Sequence, residues 1–444
     1  MVWYYLRFLF FPTILMYARR VKIRNAHRIR TDQPVLISMN HPNAFLDAIA
    51  FSAYFFYPRT YFMARGDAFK KGFVSSVLES TGIVPIFRMR DAGLEGVKKN
   101  ADSFQVVYKL WNKKKKVIVF SEGLCIQERR LRPIQKGTAR MAFGFLEQYK
   151  AEKFLIVPVS VTYSKPSAFG TEIFYDVGNP IQAAEYLNLF KENQAKAVNT
   201  LTKNLEEEMK AVTPHLNEKS YDELIEQLQD LDKKDWLKKN SLDPSKQENS
   251  QKYWWHITQL LNQANEQEKE KLEDLKNKVK QYSEKLIKLE LSDSTIDTYS
   301  QNQNFNLANK TAVLSMGMPF YLVGKYWNFL PFYLSAKLSK KLAKTIEFYA
   351  SFNFVIGSFI LKFLLIFELF LVGIFAKSFL ILLAYPILKF TFGMFSNRFG
   401  FYLNQVLNLW KINKLNTNNK PIVDSLIQER KEIRRILDSL ENSK

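Results

Sequence analysis

A short strand that runs through a tight turn into a helix is the strongest constraint that this sequence places on its fold. The apolar run 35–39 is typical of a buried strand, and the apolar segment 44–57 is long enough for a packed helix. Between them lie His41 and Asp47, a histidine that can act as a base and a carboxylate that can orient it. The competing interpretation is an ordinary turn, with His41 a hydrogen-bonded polar residue and Asp47 a surface charge.

Three later segments add strands to this unit. Residues 82–88 are a short strand-like run that ends in an arginine, and residues 117–123 are a strand that runs into an acid–glycine turn. A further apolar run, 156–161, is interrupted only by one proline. Apolar runs that alternate with amphipathic segments over residues 31–180 predict an α/β domain with a largely buried sheet.

In this order and spacing, the first segment and the later ones resemble the four sequence blocks of the glycerolipid acyltransferases, which acylate glycerol-3-phosphate or lysophosphatidic acid. The resemblance covers about residues 30–180, the size of one domain. Five residues separate His41 from Asp47, where most of the family has four. This spacing is similar to the branch that contains fungal-type glycerol-3-phosphate and dihydroxyacetone-phosphate acyltransferases. In the third block, Ser121 and Cys125 stand where the family usually has proline and serine.

The resemblance implies a catalytic domain in which His41 is the general base and Asp47 fixes its tautomer. It points to Arg88 for the acceptor phosphate, which a guanidinium can bind through two hydrogen bonds. It also points to Glu122, which could accept from a glycerol hydroxyl or hold a cation, and to Gly123, which lets the backbone approach closely. Further candidates are Arg132 and Lys136 for the acceptor phosphate, and Arg65, Lys70 and Lys71 for phosphates of the donor.

Net charge and cysteine content limit the classes of binding partner and of reaction mechanism that this chain can have. The net charge is +21, from 64 Lys+Arg against 43 Asp+Glu, which suits nucleic acid, an anionic membrane or a phosphorylated substrate. The basic residues flank apolar segments and do not interleave with exposed aromatic residues, so we expect no nucleic-acid binding. The single cysteine, Cys125, excludes an internal disulfide framework, and the resemblance implies direct acyl transfer with no acyl-enzyme at this thiol. No histidine/cysteine cluster has metal-ligand spacing, and we expect no metal or other cofactor.

The last third of the chain is predicted to lie in a membrane. Residues 352–375 and 376–395 are adjacent apolar stretches, each long enough to cross a bilayer, which predicts a helical hairpin. Lysines and arginines on both sides of the pair predict that its ends, and the catalytic domain with them, are cytoplasmic. Lys362 and Glu368 are expected to pair, to face protein or to lie near an interface. The competing interpretation is a soluble helical domain with a deeply buried core.

Composition divides the chain into successive parts. Residues 1–30 combine an apolar, aromatic stretch with a basic segment, which predicts an interfacial membrane helix; a buried N-terminal helix is the alternative. The other predicted parts are the catalytic domain at 31–182, a soluble helical region with a linker at 183–310, the membrane region at 311–410 and a charged tail at 411–444.

These features predict a membrane-bound O-acyltransferase of phospholipid biosynthesis. The expected acceptor is glycerol-3-phosphate or dihydroxyacetone phosphate, and the expected donor is a thioester, either acyl-CoA or acyl-carrier protein. An enzyme that acylates 1-acylglycerol-3-phosphate or another lysophospholipid is the first alternative, because the same base and carboxylate would serve it. A non-enzymatic membrane scaffold is the second alternative. The residues that argue against a scaffold are the intact His41, Asp47, Arg88, Glu122 and Gly123.

Overall fold

Apolar runs in the first half of the chain build the sheet that carries the candidate site. The computed structural model describes residues 2–30, 32–55, 59–66, 69, 80–87, 89–301, 307–376 and 378–442. The strands of this part are β1 (Arg20–Arg24), β2 (Val35–Met39), β3 (Thr60–Arg65), β4 (Ile83–Ile86), β5 (Lys116–Phe120), β6 (Leu155–Tyr163), β7 (Glu172–Val177) and β8 (Ile181–Gln182). In the described residues they form one mixed sheet in the order β1-β7-β6-β2-β5-β3-β4, with β8 paired to β6.

Strand β2 lies at the centre of this sheet. It is parallel to both β5 and β6, and all of its residues are buried. Burial on both faces explains why its sequence is apolar throughout. Strand β4, at the edge of the sheet, contains Pro85, whose missing N–H is tolerated there. The sheet confirms the predicted α/β class.

Helices cover both faces of the sheet because successive strand residues point to opposite sides. On one face, Leu36 and Val117 pack with Trp111 in one hydrophobic core. On the other face, Ile37 packs with Phe51 in a second core. The helices of this part are α1 (Val2–Tyr17), α2 (Ala44–Tyr54), α3 (Met89–Asn112), α4 (Gly137–Tyr149), α5 (Leu187–Glu192) and α6 (Gln194–Lys210).

Strand pairing and core packing extend beyond both bounds of the predicted catalytic domain, residues 31–182. Strand β1 is parallel to β7, and Nε of Arg24 donates to Oδ1 of the fully buried Asp176 at 2.8 Å. Beyond the other end, helix α6 places Leu201 and Leu205 in the hydrophobic core of the sheet. Strand pairing and packing therefore join segments that composition separates.

The chain divides into two compact units. We call them the sheet unit, which comprises Met1–Thr213 and Tyr333–Leu364, and the helical unit, which comprises Pro214–Phe332 and Leu365–Lys444. The remaining helices are α7 (Asp222–Leu231), α8 (Lys233–Lys239), α9 (Gln247–Gln267), α10 (Lys269–Lys288), α11 (Asp293–Ser300), α12 (Leu307–Trp327), α13 (Phe329–Leu342), α14 (Ile346–Ala376), α15 (Phe379–Asn418) and α16 (Lys420–Asn442).

The polar region after the sheet is helical, as predicted. Leu272, Leu275 and Val279 of α10 recur at helical spacing and are buried in the core of the helical unit. The predicted linker at 292–309 contains α11, because Ile296 is fully buried in the same core. Polar composition therefore misled the prediction at this short helix.

Two helices of the described chain, α14 and α15, are long and apolar enough to cross a membrane. Their most apolar windows have mean hydropathies of 2.5 and 1.7, and only 11% and 17% of these windows is buried. Large side chains such as Phe363, Phe370 and Phe375 are exposed along α14. An exposed apolar surface of this extent marks contact with a membrane or a partner. The predicted pair of long apolar helices is confirmed, and its membrane topology stays a prediction.

Charged residues inside these apolar helices have partners. Nζ of Lys389 on α15 is buried and donates to Oε1 of Glu368 on α14 at 2.6 Å. The ammonium of Lys362 lies over the ring of Phe8, 5.4 Å from its centroid. Such contacts satisfy charges that would otherwise be costly in an apolar environment, as the sequence predicts.

Helices α12 and α15 approach closely at Gly324, where a side chain would not fit. A Cβ there would lie 2.1 Å from the backbone oxygen of Phe392. We expect Gly324→Ala to push the helices apart and to lower the free energy of unfolding of the helical unit by about 1–3 kcal/mol. Thermal unfolding in detergent measures this change. Gly373→Ala is the matched control, because its Cβ would meet no atom nearer than 3.8 Å; equal stability of both variants would contradict the prediction.

Candidate active site

The candidate site lies at the carboxyl ends of the parallel strands β2, β5 and β6. His41 follows β2 by two residues, Glu122 follows β5 by two residues, and Tyr163 is the last residue of β6. Neighbouring parallel strands end at the same edge of a sheet, so their loops bring these side chains together.

Asp47 is fully buried in the first turn of α2. Its Oδ2 lies 2.9 Å from Nδ1 of His41 and accepts from the backbone N–H of Asn43, also at 2.9 Å. Its Oδ1 accepts from the hydroxyl of Tyr163 at 2.7 Å. Burial and the nearby Asp47 carboxylate raise the pKa of Tyr163 well above its usual value, so this hydroxyl stays a neutral donor. The surrounding donors compensate the charge of the buried carboxylate.

The contact with Asp47 leaves Nε2 of His41 as the nitrogen that can take a proton. A carboxylate that accepts from Nδ1–H selects the tautomer in which Nε2 carries a lone pair. The imidazole stacks on Phe120, with ring centroids 3.6 Å apart, and its side chain is 16% exposed at the wall of a cleft. This geometry suits a general base held by an orienting carboxylate.

Glu122 is hydrogen-bonded to two loops of the site. Its Oε2 accepts from the backbone N–H of His41 at 3.2 Å, and its Oε1 accepts from the backbone N–H of Arg132 at 2.9 Å. Burial raises the pKa of Glu122 to about 7, and these two hydrogen bonds act in the opposite direction. The residue also lines the cleft. Among the described residues, no three His, Cys, Asp or Glu side chains are grouped to hold a metal ion.

The cleft beside His41 has a volume of about 950 Å³. Its wall is mostly apolar and includes Phe45 and Phe348, and two arginines, Arg65 and Arg140, also line it. A cleft of this size with an apolar wall and a few polar groups is typical of a small-molecule site. The combination suits a substrate that carries both an anionic group and a hydrocarbon chain.

Of the other arginines and lysines that were predicted to bind phosphate, the two that the structure describes do not line the cleft. Arg132 directs its guanidinium to Glu128, with Nη2 2.9 Å from Oε2. Lys136 is exposed immediately before α4. Three further candidates, Arg88, Lys70 and Lys71, lie outside the described residues. The predicted phosphate-binding roles of all these residues therefore stay predictions.

Gly123 and Cys125 lie in the loop that follows β5. Gly123 has φ +68°, a left-handed conformation that favours glycine. Sγ of Cys125 accepts from the backbone N–H of Ala44 at 3.0 Å, and burial raises the pKa of this thiol well above its usual value. A protonated thiol is a poor nucleophile. This environment makes Cys125 a weak candidate for a nucleophile.

Sequence reasoning did not identify Tyr163 and Arg140, which lie at this site, or Ser351, which is hydrogen-bonded to the turn between His41 and Asp47. A tyrosine at the carboxyl end of a strand parallel to β2 is a detectable signal, because that strand end faces the base. Arg140 lies in the first turn of α4, whose N-terminus lines the cleft. A predicted helix start at Gly137 would therefore have indicated this arginine. Ser351 is 305 residues from Leu46, to which it is hydrogen-bonded, and no local pattern connects them.

Comparison with known proteins bears on the same part of the chain. The family model described as Acyltransferase matches residues 20–162, the segment that contains His41, Asp47 and Glu122. Among solved structures, the chain is similar to the 1-acyl-sn-glycerophosphate (LPA) acyltransferase PlsC from Thermotoga maritima. The sequence identity is 15%, the match covers 46% of this chain and 79% of that one, and the TM-score is 0.32. No curated protein matches this chain. The family match supports the predicted resemblance to acyltransferases, and the branch stays a prediction.

Proposed function

We propose that this protein is a membrane-associated O-acyltransferase that moves a fatty acyl group from a thioester donor to a hydroxyl of glycerol-3-phosphate or dihydroxyacetone phosphate. The observation that carries the proposal is the pair of His41 Nδ1 and Asp47 Oδ2, 2.9 Å apart, beside a cleft lined by arginine. Both residues lie inside the segment that matches the acyltransferase family.

The chemistry proposed for this pair is direct transfer. Nε2 of His41 accepts the proton of the acceptor hydroxyl while the oxygen attacks the thioester carbonyl. Asp47 stabilises the imidazolium that forms. The new C–O bond forms, the C–S bond breaks, and the proton on His41 passes to the leaving thiolate. Burial raises the pKa of the Cys125 thiol, which disfavours an acyl-enzyme at this residue and so supports direct transfer.

Two features of the cleft support a phosphorylated acceptor. Arg140 lines the cleft and can bind a phosphate through two hydrogen bonds. Gly137 and Thr138, at the N-terminus of α4, line it as well, and a helix N-terminus attracts anions. The resemblance adds Arg88 as a phosphate ligand, and Arg65 at the cleft is a candidate contact for the donor's phosphates. The five residues between the catalytic pair favour glycerol-3-phosphate or dihydroxyacetone phosphate through the branch that they resemble.

The apolar wall favours a second candidate, acylation of 1-acylglycerol-3-phosphate. Phe45 and Phe348 pack edge to face near the cleft, with ring centroids 6.3 Å apart, and both line it. An apolar wall fits the acyl chain of the donor, whether CoA or acyl-carrier protein carries it, and equally the chain of a lysophospholipid acceptor. An assay that offers both acceptors distinguishes the two reactions.

The membrane part of the proposal rests on α14 and α15. Both helices are long enough to span a bilayer, and the net charge of +21 suits an anionic lipid surface. We place the hairpin in the membrane with the catalytic domain on the cytoplasmic side, from the basic residues that flank the helices. Helix α1, with Tyr4 and Phe8 exposed, suits the interface of the same membrane.

The test is acyl transfer by membranes that contain the protein. Glycerol-3-phosphate and lysophosphatidic acid are offered in parallel, each with acyl-CoA and with acyl-carrier-protein thioester, and a His41→Ala variant is assayed beside the wild type. We expect product that depends on His41, with glycerol-3-phosphate the better acceptor. Product from lysophosphatidic acid alone would establish the second candidate. No His41-dependent product from either acceptor, with the protein folded in the membrane, would favour the scaffold.

A further inference from the structure

The turn between His41 and Asp47 contains a strained residue. Ala44 has φ +37°, a left-handed conformation that costs a non-glycine residue energy. The backbone N–H of Ala44 donates to Sγ of Cys125 at 3.0 Å. Two residues farther along the turn, the backbone N–H of Leu46 donates to the backbone oxygen of Asn43, also at 3.0 Å. A strained turn persists only where its surroundings hold it.

Ser351 of α14 holds both sides of this turn. Its Oγ donates to the backbone oxygen of Asn43 at 2.7 Å and accepts from the backbone N–H of Leu46 at 2.9 Å. The side chain is fully buried, so these hydrogen bonds are shielded from water. The two backbone groups lie on either side of Ala44. Ser351 therefore fixes the segment that sets the distance between the base and its carboxylate.

The position of Ser351 is rigid because α14 packs on the sheet unit around it. Ala350 and Phe354 are buried in the same hydrophobic core as Leu46 and Ala48 of α2. Ser358, about two turns farther along α14, offers a contrast. It is also fully buried, but its hydroxyl donates to the backbone oxygen of Phe354 within its own helix.

We propose that Ser351 is a positioning residue for the catalytic pair and that α14, an apolar helix outside the segment that matches the acyltransferase family, completes the active site. The hydroxyl of Ser351 holds Ala44 in the left-handed conformation and thereby keeps Asp47 in contact with His41. This inference rests on the proposed function for its effect on rate, whereas its effect on the turn can be measured without any reaction.

The experiment compares Ser351→Ala with Ser358→Ala in the full-length, membrane-bound protein. We expect Ser351→Ala to lower kcat for acyl transfer about tenfold, and Ser358→Ala to leave kcat close to wild type. The second readout is alkylation by N-ethylmaleimide of Cys125, the single cysteine of the chain. When the turn relaxes, the sulfur loses its contact with Ala44, so we expect Ser351→Ala to speed alkylation by roughly the same factor.

A second variant separates positioning from general damage to packing. Glycine adopts a positive φ without strain, so Ser351→Ala combined with Ala44→Gly should recover much of the lost rate and restore slow alkylation. Identical behaviour of Ser351→Ala and Ser358→Ala in both assays would overturn the inference, as would a double variant no better than Ser351→Ala. If the wild type transfers no acyl group, the proposed function fails, while the alkylation rates still decide whether Ser351 holds the turn.

Discussion

His41→Ala is expected to lower kcat for acyl transfer by about 10²–10⁴-fold while the protein stays folded. The imidazole is partly exposed at the cleft, so its removal leaves no cavity in a core. What disappears is the group that takes the hydroxyl proton while the C–O bond forms. The measurement is kcat with the preferred acceptor, together with the thermal unfolding midpoint of each variant.

One control variant and one variant of the partner carboxylate accompany this prediction. His27→Ala removes an exposed histidine of the same unit and should leave kcat close to wild type. Asp47→Asn keeps the size of the side chain but replaces a buried acceptor with an amide, which favours the wrong tautomer of His41; we expect a loss of roughly 10³-fold or more. Activity of His41→Ala within a few-fold of wild type would remove His41 as the base.

We expect Arg430→Met to lower the free energy of unfolding of the helical unit by about 3–5 kcal/mol, more than Gly324→Ala does. Nε of Arg430 donates to Asp293 Oδ1 at 3.0 Å, and Nη2 donates to Asp235 Oδ2 at 2.8 Å. Nη2 also lies 3.2 Å from Oδ1 of Asp297. The guanidinium is largely buried, so its removal leaves carboxylates without their compensating charge.

Hydrogen–deuterium exchange by mass spectrometry tests this prediction on the helical unit itself. Peptides from α7, α8 and α11 should exchange faster in Arg430→Met, because α16 holds these helices through Arg430. Lys285→Met is the matched control: it also breaks an ion pair to α16, with Glu429 at 2.6 Å, but the lysine is half exposed. We expect no measurable change there. Equal exchange in both variants would show that the buried network does not stabilise the unit.

Local hydrophobic pattern was sufficient to predict the central elements. Strand β2 and the helix after it occupy Val35–Met39 and Ala44–Tyr54, as the apolar runs predict. The long apolar helices α14 and α15 were equally evident. In each case neighbouring residues share one environment, so burial leaves a periodic or continuous signal in the sequence. The polar region 292–309 carried the opposite signal, and α11 forms there because Ile296 is buried by distant helices.

The sequence by itself determined that a histidine and a carboxylate stand between a buried strand and a packed helix, because that spacing is local. Only the tertiary structure decided what surrounds them. It brings Tyr163 to one oxygen of Asp47 and Glu122 to the backbone of His41. It also seats Ser351, from the far end of the chain, on the turn between the pair. Contacts between residues hundreds of positions apart follow from strand order and helix packing, which no short sequence window encodes.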